Sequence, residues 1–296
     1  MSKLRKLMGA APASDQAASP APPRWRLGAA VRFLQPCLAA AALALTGDPA
    51  LAADNDSDLA KKLSNPISSL ISVPFQFNYD QGYGPEDGEK LLLNVQPVVP
   101  ISLSENWNLI SRTIVPIAWQ DDIAGRSGKQ FGLGDVLQSG FFSPKAPLQT
   151  AVGNLTWGVG PVLSLPTSTD DLLGSGKFGL GPTGVALVQE GPWTYGALAN
   201  HVWSVSGRDK VSATFLQPFL THTSSSAWTI GVNSESSYNW KADQWSVPIN
   251  VFVAKLVNIQ DQKVQFLVNG RYWAESPDAG PDSFGVRAQI TLLFPD

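Results

Sequence analysis

The sequence predicts an all-β fold, an antiparallel up-and-down transmembrane β-barrel of about twelve strands, preceded by a signal peptide and a short N-terminal helix. Three observations carry that prediction: tryptophans paired at even spacings, an export leader with no spanning helix after it, and a succession of period-two segments whose connections alternate in character. The pairs are Trp107 and Trp119, Trp193 and Trp203, and Trp228 and Trp240, separated by 12, 10 and 12 residues. An even separation puts both indoles on one face of a strand, because successive strand side chains point to opposite faces. Twelve residues at ~3.3 Å each, tilted by about 45°, climb roughly 28 Å, close to the ~25 Å apolar band of an outer-membrane barrel. The six indoles are therefore expected to form two girdles at the two lipid–water interfaces. A soluble β-sandwich can carry Trp at strand ends too, but one membrane-sized spacing three times over is harder to obtain there.

The leader supplies the matching compartment. Lys3, Arg5, Lys6, Arg24, Arg26 and Arg32 make it basic, residues 33–46 form a short apolar stretch, and Ala50-Leu51-Ala52 offers a small-x-small cleavage site. Residues 1–52 are expected to be a signal peptide read by the Sec pathway, with the mature chain starting near Ala53. Gln35, Pro36 and Gly47 interrupt the apolar stretch, which falls short of the ~20 residues of a spanning helix. With no later helix of that kind, a membrane-inserted mature chain has to be a closed barrel, the other structure that satisfies every backbone polar group in lipid.

Composition points the same way. Cys37 lies in the leader, so the mature chain has no thiol or disulfide chemistry. Six of the 21 basic and two of the 24 acidic residues lie in 1–52, which leaves 15 against 22, a net charge near −7 that argues against a nucleic-acid partner. Charged residues are 15% of the chain, with 26 Gly and 23 Pro, a balance suited to many strands and tight turns.

Residues 54–66 read as a short amphipathic helix: Ser57 can cap, Leu59 and Leu63 are four apart, and Asn65-Pro66 ends the run. Residues 53–68 are thus expected to be a lead-in or plug, and 69–296 the barrel. Strand-like segments follow at 69–80, 89–103, 106–120, 130–143, 152–165, 177–189, 193–206, 210–223, 226–239, 244–257, 261–275 and 283–294. An even count returns the chain to its starting side. Connections after odd segments are polar and often acidic, such as 80–88, 120–129, 167–176 and 275–282, while those after even segments are mostly shorter. That is the asymmetry of outer loops and periplasmic turns. In the last segment Phe284, Val286, Ala288, Ile290, Leu292 and Phe294 share one face and Arg287, Gln289 and Thr291 the other; its aromatic end is the kind of signal the barrel-assembly machinery reads. Pro74, Pro97, Pro100, Pro116, Pro161, Pro218 and Pro248 fall inside segments, where each removes a ladder hydrogen bond and calls for a bulge or kink.

Several local words are familiar. Asn65-Pro66, Val73-Pro74-Phe75-Gln76-Phe77-Asn78, Gly132-Leu133-Gly134-Asp135, Phe141-Phe142-Ser143-Pro144, Gly160-Pro161-Val162, Leu165-Pro166-Thr167, Gly179-Leu180-Gly181-Pro182-Thr183, Trp193-Thr194-Tyr195-Gly196, Gln217-Pro218-Phe219 and Gly270-Arg271-Tyr272 occur in order. With these, the chain over about 58–296 resembles an uncharacterised family of transporter-like bacterial outer-membrane proteins grouped with the MetA-pathway of phenol degradation barrels. The resemblance implies an outer-membrane barrel of a Gram-negative bacterium, for uptake of small organic compounds, and brings no catalytic motif.

The candidate functional residues are ionisable and amide side chains inside strands, because Arg or Lys on a lipid face costs ~2–4 kcal/mol near the midplane. Arg112, Glu235, Arg271 and Arg287 fall opposite the apolar side of their segments and are expected in the lumen, joined by Asn233, Asn250, Asn269 and Gln289. They suit either a polar constriction that selects solutes or a structural network of paired charges filling a narrow barrel. A Ser–His–Asn hydrolase site, of the kind the outer-membrane phospholipase carries, needs a histidine. His222-Thr223-Ser224 falls at an expected periplasmic turn and His201 sits beside Trp203 where packing explains it, so no catalytic residue is assigned. No His/Cys cluster has metal-ligand spacing, Asp121-Asp122 and Asp170-Asp171 read as solvated loop acids, and Gly174 to Gly181 lacks the Gly-Lys-Ser/Thr ending of a phosphate loop and reads as a flexible outer loop. The expectation is a passive channel for small organic solutes, aromatic or hydrophobic, with no cofactor. Its partners would be outer-membrane lipids, lipopolysaccharide, the barrel-assembly machinery and the solute. The alternatives are a structural or adhesive barrel with a closed lumen and a soluble periplasmic β-protein.

Overall fold

The computed structural model describes residues 53–205, 210–282 and 284–295. The expected signal peptide and its cleavage site lie outside the described residues. The chain enters as helix α1 (Ala53–Leu63), with Lys61 and Lys62 in the last turn against the negative end of the helix dipole. The helix stops where the Asn65 side chain accepts the Ile67 N–H at 2.9 Å, an Asx turn that competes with helical bonding, beside Pro66.

Strands follow as β1 (Ile71–Tyr83), β2 (Gly88–Val95), β3 (Val98–Ser102), β4 (Trp107–Asp121), β5 (Lys129–Leu133), β6 (Val136–Pro144), β7 (Leu148–Thr150) and β8 (Gly153–Leu165). The second half holds β9 (Gly179–Glu190), β10 (Trp193–Ser204), β11 (Ser212–Thr223), β12 (Trp228–Ser234), β13 (Ser236–Asn239), β14 (Gln244–Ile259), β15 (Gln262–Glu275) and β16 (Phe284–Phe294). Pieces β2/β3, β5/β6 and β12/β13 share staves, and β7 continues the β6 side of β8. The result is a closed antiparallel barrel of twelve staves, each next to its sequence neighbour. β1 and β16 close it in a ladder from Ile71 against Phe294 to Tyr79 against Val286. Closure removes every free edge.

The staves lie within a few residues of the expected segments, and the prolines explain where staves break. Pro97 separates β2 from β3. Pro116 faces the gap at Gly134-Asp135 between β5 and β6, where the Gly134 N–H bonds the Pro116 carbonyl at 2.9 Å. Pro218 faces the gap at Glu235 between β12 and β13. Pro248 stands at the bulge between β14 and β15. These four prolines sit where the ladder with one neighbour lapses, which is how a closed barrel with no free edge accommodates them, whereas Pro74 and Pro100 stay in register opposite Thr291 and Ile110. Pairing also lapses around Gly140 and Pro161 between β6 and β8, and around Pro182 and His201 between β9 and β10. At this level the outer wall has a shallow apolar groove lined by Pro161, Leu180, Pro182, Trp203 and Val205.

Alternation along the staves sends one set of side chains outward and one inward. Outward positions are largely apolar, as with Leu180, Leu220, Ile230, Val251, Val253 and Val268. The inside divides in two. Ile110, Phe141, Val185, Leu187 and Leu198, joined by Ile67, form an apolar half, with Val98, Phe215 and Phe219 against it. The other half, on β1, β2, β14, β15 and β16, is polar.

The N-terminal segment lies against one end of the barrel. Leu59, Ala60, Leu63 and Leu70 pack on Ala227, Leu256 and Leu293. The Lys61 ammonium donates to the Gly191 carbonyl at 2.6 Å in the β9–β10 turn, while Asp56 pairs with Lys263 beside the β14–β15 turn and accepts from Asn258 at 3.2 Å. At the other end the stretch 166–178, expected from the sequence to be a flexible outer loop over its Gly174 to Gly181 part, is tied to the inner wall. Asp135 accepts from the backbone of Ser168 (3.2 Å), Ser175 (2.6 Å) and Gly176 (3.0 Å), and Gln120 donates to the Leu172 carbonyl (3.0 Å). Gly132 makes room for this loop, since a Cβ there would lie 1.9 Å from the Thr169 hydroxyl.

Candidate functional site

The lumen-facing side chains expected from period two come together in one network. β1 carries Gln76, Asn78 and Asp80 on its inner face, two residues apart. Cross-strand partners share a face, so Asn94 and Lys90 of β2, opposite Gln76 and Asp80, turn inward as well. Arg271 donates from Nη1 to Asp80 (2.8 Å), from Nη2 to Asn78 Oδ1 (3.1 Å) and from Nε to Asn250 Oδ1 (3.0 Å). Arg287 forks onto Glu235 at 2.8 and 2.5 Å and reaches Asn78 Oδ1 from Nε at 2.6 Å. Arg271 Nη2 lies 3.5 Å from the same Glu235, so one carboxylate is shared by two guanidiniums. Both arginine side chains are 6% exposed.

The amides extend the network around the wall. Asn250 donates to Asn233 Oδ1 (2.9 Å) and accepts from Asn269 (3.1 Å). Gln76 donates to Gln289 (3.2 Å) and accepts from Gln96 (3.1 Å) and Asn94 (3.3 Å). Gln96 in turn accepts from Arg112 Nη2 (2.9 Å), and Gln289 donates to the Thr291 hydroxyl (3.0 Å). Arg112, Glu235, Arg271, Arg287, Asn233, Asn269 and Gln289 are thus all lumenal and linked. Sequence reasoning misses Gln76, Asn78, Asp80, Lys90 and Gln96. By sequence Asp80 opens an acidic loop, whereas β1 continues to Tyr83 and pairs Asp80 with Lys90; the signal that could have found it is the Gln76-x-Asn78-x-Asp80 alternation.

Between the network and the N-terminal segment lies a cavity of about 320 Å³. Arg112, Glu235, Arg287, Gln76 and Asn269 contribute its polar wall; Phe215 and Phe219 face it from the apolar side, Phe252 and Ile114 add apolar surface between the polar groups of β14 and β4, and Leu63, Ser64, Asn65, Pro66 and Ser68 form its floor. Asn269 Oδ1 is buried without a hydrogen-bond partner among the described residues.

The six tryptophans stand at or near the two ends of their staves. Trp107, Trp193 and Trp228 begin β4, β10 and β12, while Trp119, Trp203 and Trp240 stand at or beside the far ends of β4, β10 and β13. All except the half-buried Trp119 are exposed on the outer wall. Trp157 joins Trp107 edge-on at 5.9 Å, and Lys255 lies over Trp228 at 5.4 Å. His222 packs against Trp193 at 4.7 Å. His201, on the outer face with Trp203 at 4.2 Å, has one ring nitrogen 2.7 Å from the Thr214 hydroxyl and the other 3.2 Å from the Ser212 hydroxyl. This is a hydroxyl–imidazole–hydroxyl trio, yet its third member is a neutral threonine in place of a carboxylate or amide, and the neighbouring backbone is engaged in the β10–β11 ladder, away from any oxyanion. Ser212 is therefore expected to remain unlabelled by a fluorophosphonate under conditions that label a serine hydrolase fully; stoichiometric labelling lost in His201→Ala would reverse that assignment.

Among the described residues no group of three His, Cys, Asp or Glu is placed to hold a metal ion, and no helix is long and apolar enough to cross a membrane. No family model and no curated protein matches the chain. Solved structures do. The outer-membrane phospholipase A of Escherichia coli aligns at 11% identity and TM-score 0.45 over 81% of this chain and 98% of its own. The β domain of the Bordetella autotransporter BrkA aligns at 10% identity and TM-score 0.41 over 75% and 98%. The COG4313 outer membrane channel from Pseudomonas putida F1 aligns at 13% identity and TM-score 0.60, over 76% of this chain and 96% of that one; at such identity the likeness is one of fold, the closed twelve-stave barrel with one short helix on its N-terminal side.

Proposed function

We propose that this protein is an outer-membrane channel for passive uptake of small organic solutes, related to the transporter-like family its sequence resembles. The observation that carries this reading is the two-sided lumen: a wall of guanidinium and amide groups faces a wall of Phe and aliphatic side chains across a cavity. A solute that is part apolar and part polar finds both of its surfaces matched there. The apolar outer wall between two aromatic belts supports residence in the outer membrane, with lipids and lipopolysaccharide around it and assembly by the barrel-assembly machinery. The line of lapsed pairing at Pro161 and Pro182, with its apolar groove, supports entry of membrane-dissolved solutes through the wall. No cofactor is needed, because the solute gradient drives flux.

A second reading, a structural or adhesive barrel with a closed lumen, is favoured by α1 at one end and the inward loop 166–178 at the other. Folded protein, recognised by heat-modifiable gel migration, would be tested for planar-bilayer conductance and for uptake of benzyl alcohol and phenol into vesicles. Stepwise conductance and flux above protein-free vesicles are expected. Folded protein with neither would leave the closed barrel standing.

A further inference from the structure

We propose that the lumen cavity is a binding site for a small ring-sized organic carboxylate, with Arg112 as its anchor. The inference rests on the channel reading for the delivery of the solute, and the binding itself is measurable without transport. Three guanidiniums enter the lumen, and their situations differ. Arg271 has Asp80 at 2.8 Å, and Arg287 occupies both oxygens of Glu235. Arg112 makes no ion pair within 4.0 Å among the described residues; its Nη2 donates to the neutral Gln96 Oε1 at 2.9 Å, and the side chain lines the cavity. A guanidinium presents five donors in a plane and matches a carboxylate with two parallel bonds, so the bond to Gln96 leaves the fork able to take an anion.

The surrounding charge favours the same sign of ligand. Lys90, Arg112, Arg271 and Arg287 share the network with Asp80 and Glu235, an excess of two positive charges. Across the lumen from Arg112, Phe215, Phe219 and Phe252 offer apolar surface to the rest of the ligand, and Ile114 adds to it beside Arg112 on β4. A volume of about 320 Å³ is at the lower end of the ~300–1,000 Å³ of small-molecule pockets, which suits one ring and its substituents. Asn269 adds a further preference: its Oδ1, buried without a partner, is an acceptor on the same wall, and a ring hydroxyl supplies the missing donor.

The test is calorimetric titration of the full folded barrel in detergent micelles with benzoate, 4-hydroxybenzoate and benzamide, the last a neutral amide of the same shape. Empty micelles give the partition background. Benzoate is expected to bind about tenfold to a hundredfold more tightly than benzamide, the scale of one charge-assisted pair, and 4-hydroxybenzoate more tightly than benzoate. Arg112→Gln should erase the preference for benzoate over benzamide, while Arg112→Lys keeps part of it by charge alone. Gel mobility before and after heating shows that each variant is folded. Equal affinity for benzoate and benzamide in the native protein, or an Arg112→Gln barrel that still prefers benzoate, overturns the proposal. Binding without conductance would keep this site and remove the channel; conductance without Arg112-dependent binding would do the reverse.

Discussion

Glu235→Ala is expected to destabilise the folded barrel by roughly 3–5 kcal/mol, the scale seen when one partner of a buried ion pair is removed. Glu235 is the point at which two arginines are neutralised. Its two oxygens accept from Arg287 at 2.8 and 2.5 Å, and Arg271 Nη2 lies 3.5 Å away. Without it both guanidiniums, each 6% exposed, stay in the interior with Asp80 as their remaining carboxylate. Neither can relieve the strain by losing a proton, because arginine remains charged in proteins. Glu235→Gln preserves the volume and some of the hydrogen bonding and should fall between the two. The double variant Glu235→Ala with Arg287→Met should recover most of the loss, since it removes the orphaned charge along with its partner. Equilibrium urea unfolding in lipid vesicles, followed by tryptophan fluorescence, measures all of these. A Glu235→Ala barrel within about 0.5 kcal/mol of the native one would show that water reaches the guanidiniums freely.

That Glu235 is legible as lumenal has a definite cause. Charges inside strand segments have two places to point, and lipid forbids one of them. Period two then fixes the face of every neighbour, which is why Arg112, Arg271, Arg287, Asn233, Asn269 and Gln289 are found with it. The lipid penalty is weaker for neutral amides and does not by itself fix their side, so Gln76, Asn78 and Gln96 escape the sequence although they connect the charges. Asp80 escapes for a different reason: the end of a stave is set by its partner strand, and the Asp80–Lys90 pairing is a tertiary fact. The loop 166–178 has no periodicity to read. Its course follows from Gly132, which leaves space for Thr169, and from Asp135, which collects three backbone N–H groups from a stretch more than thirty residues away.

Deleting residues 53–68, with the leader and residues 69–296 retained, is expected to raise single-channel conductance several-fold. The segment forms the floor of the cavity through Leu63, Ser64, Asn65, Pro66 and Ser68. An α-helix with its side chains is ~10 Å across, comparable with the interior of a small barrel, so its removal is expected to widen the aqueous path at this end. The loss of buried Leu59 and Ile67 costs about 1.5–3 kcal/mol for each side chain, yet no ladder bond of the twelve staves is touched, and the deleted protein should still migrate as a folded barrel before heating. Asp56→Ala weakens one of the helix's anchors, to Lys263 and Asn258, and should give a smaller rise with frequent transitions between levels. If deletion leaves conductance unchanged, the resistance lies at the other end. Gly132→Val then becomes the decisive variant, because its side chain would take the place of Thr169 and lift the loop 166–178 off the wall. A barrel whose conductance rises in the deletion and not in Gly132→Val has its gate in the N-terminal segment; the opposite pattern puts the gate in the loop.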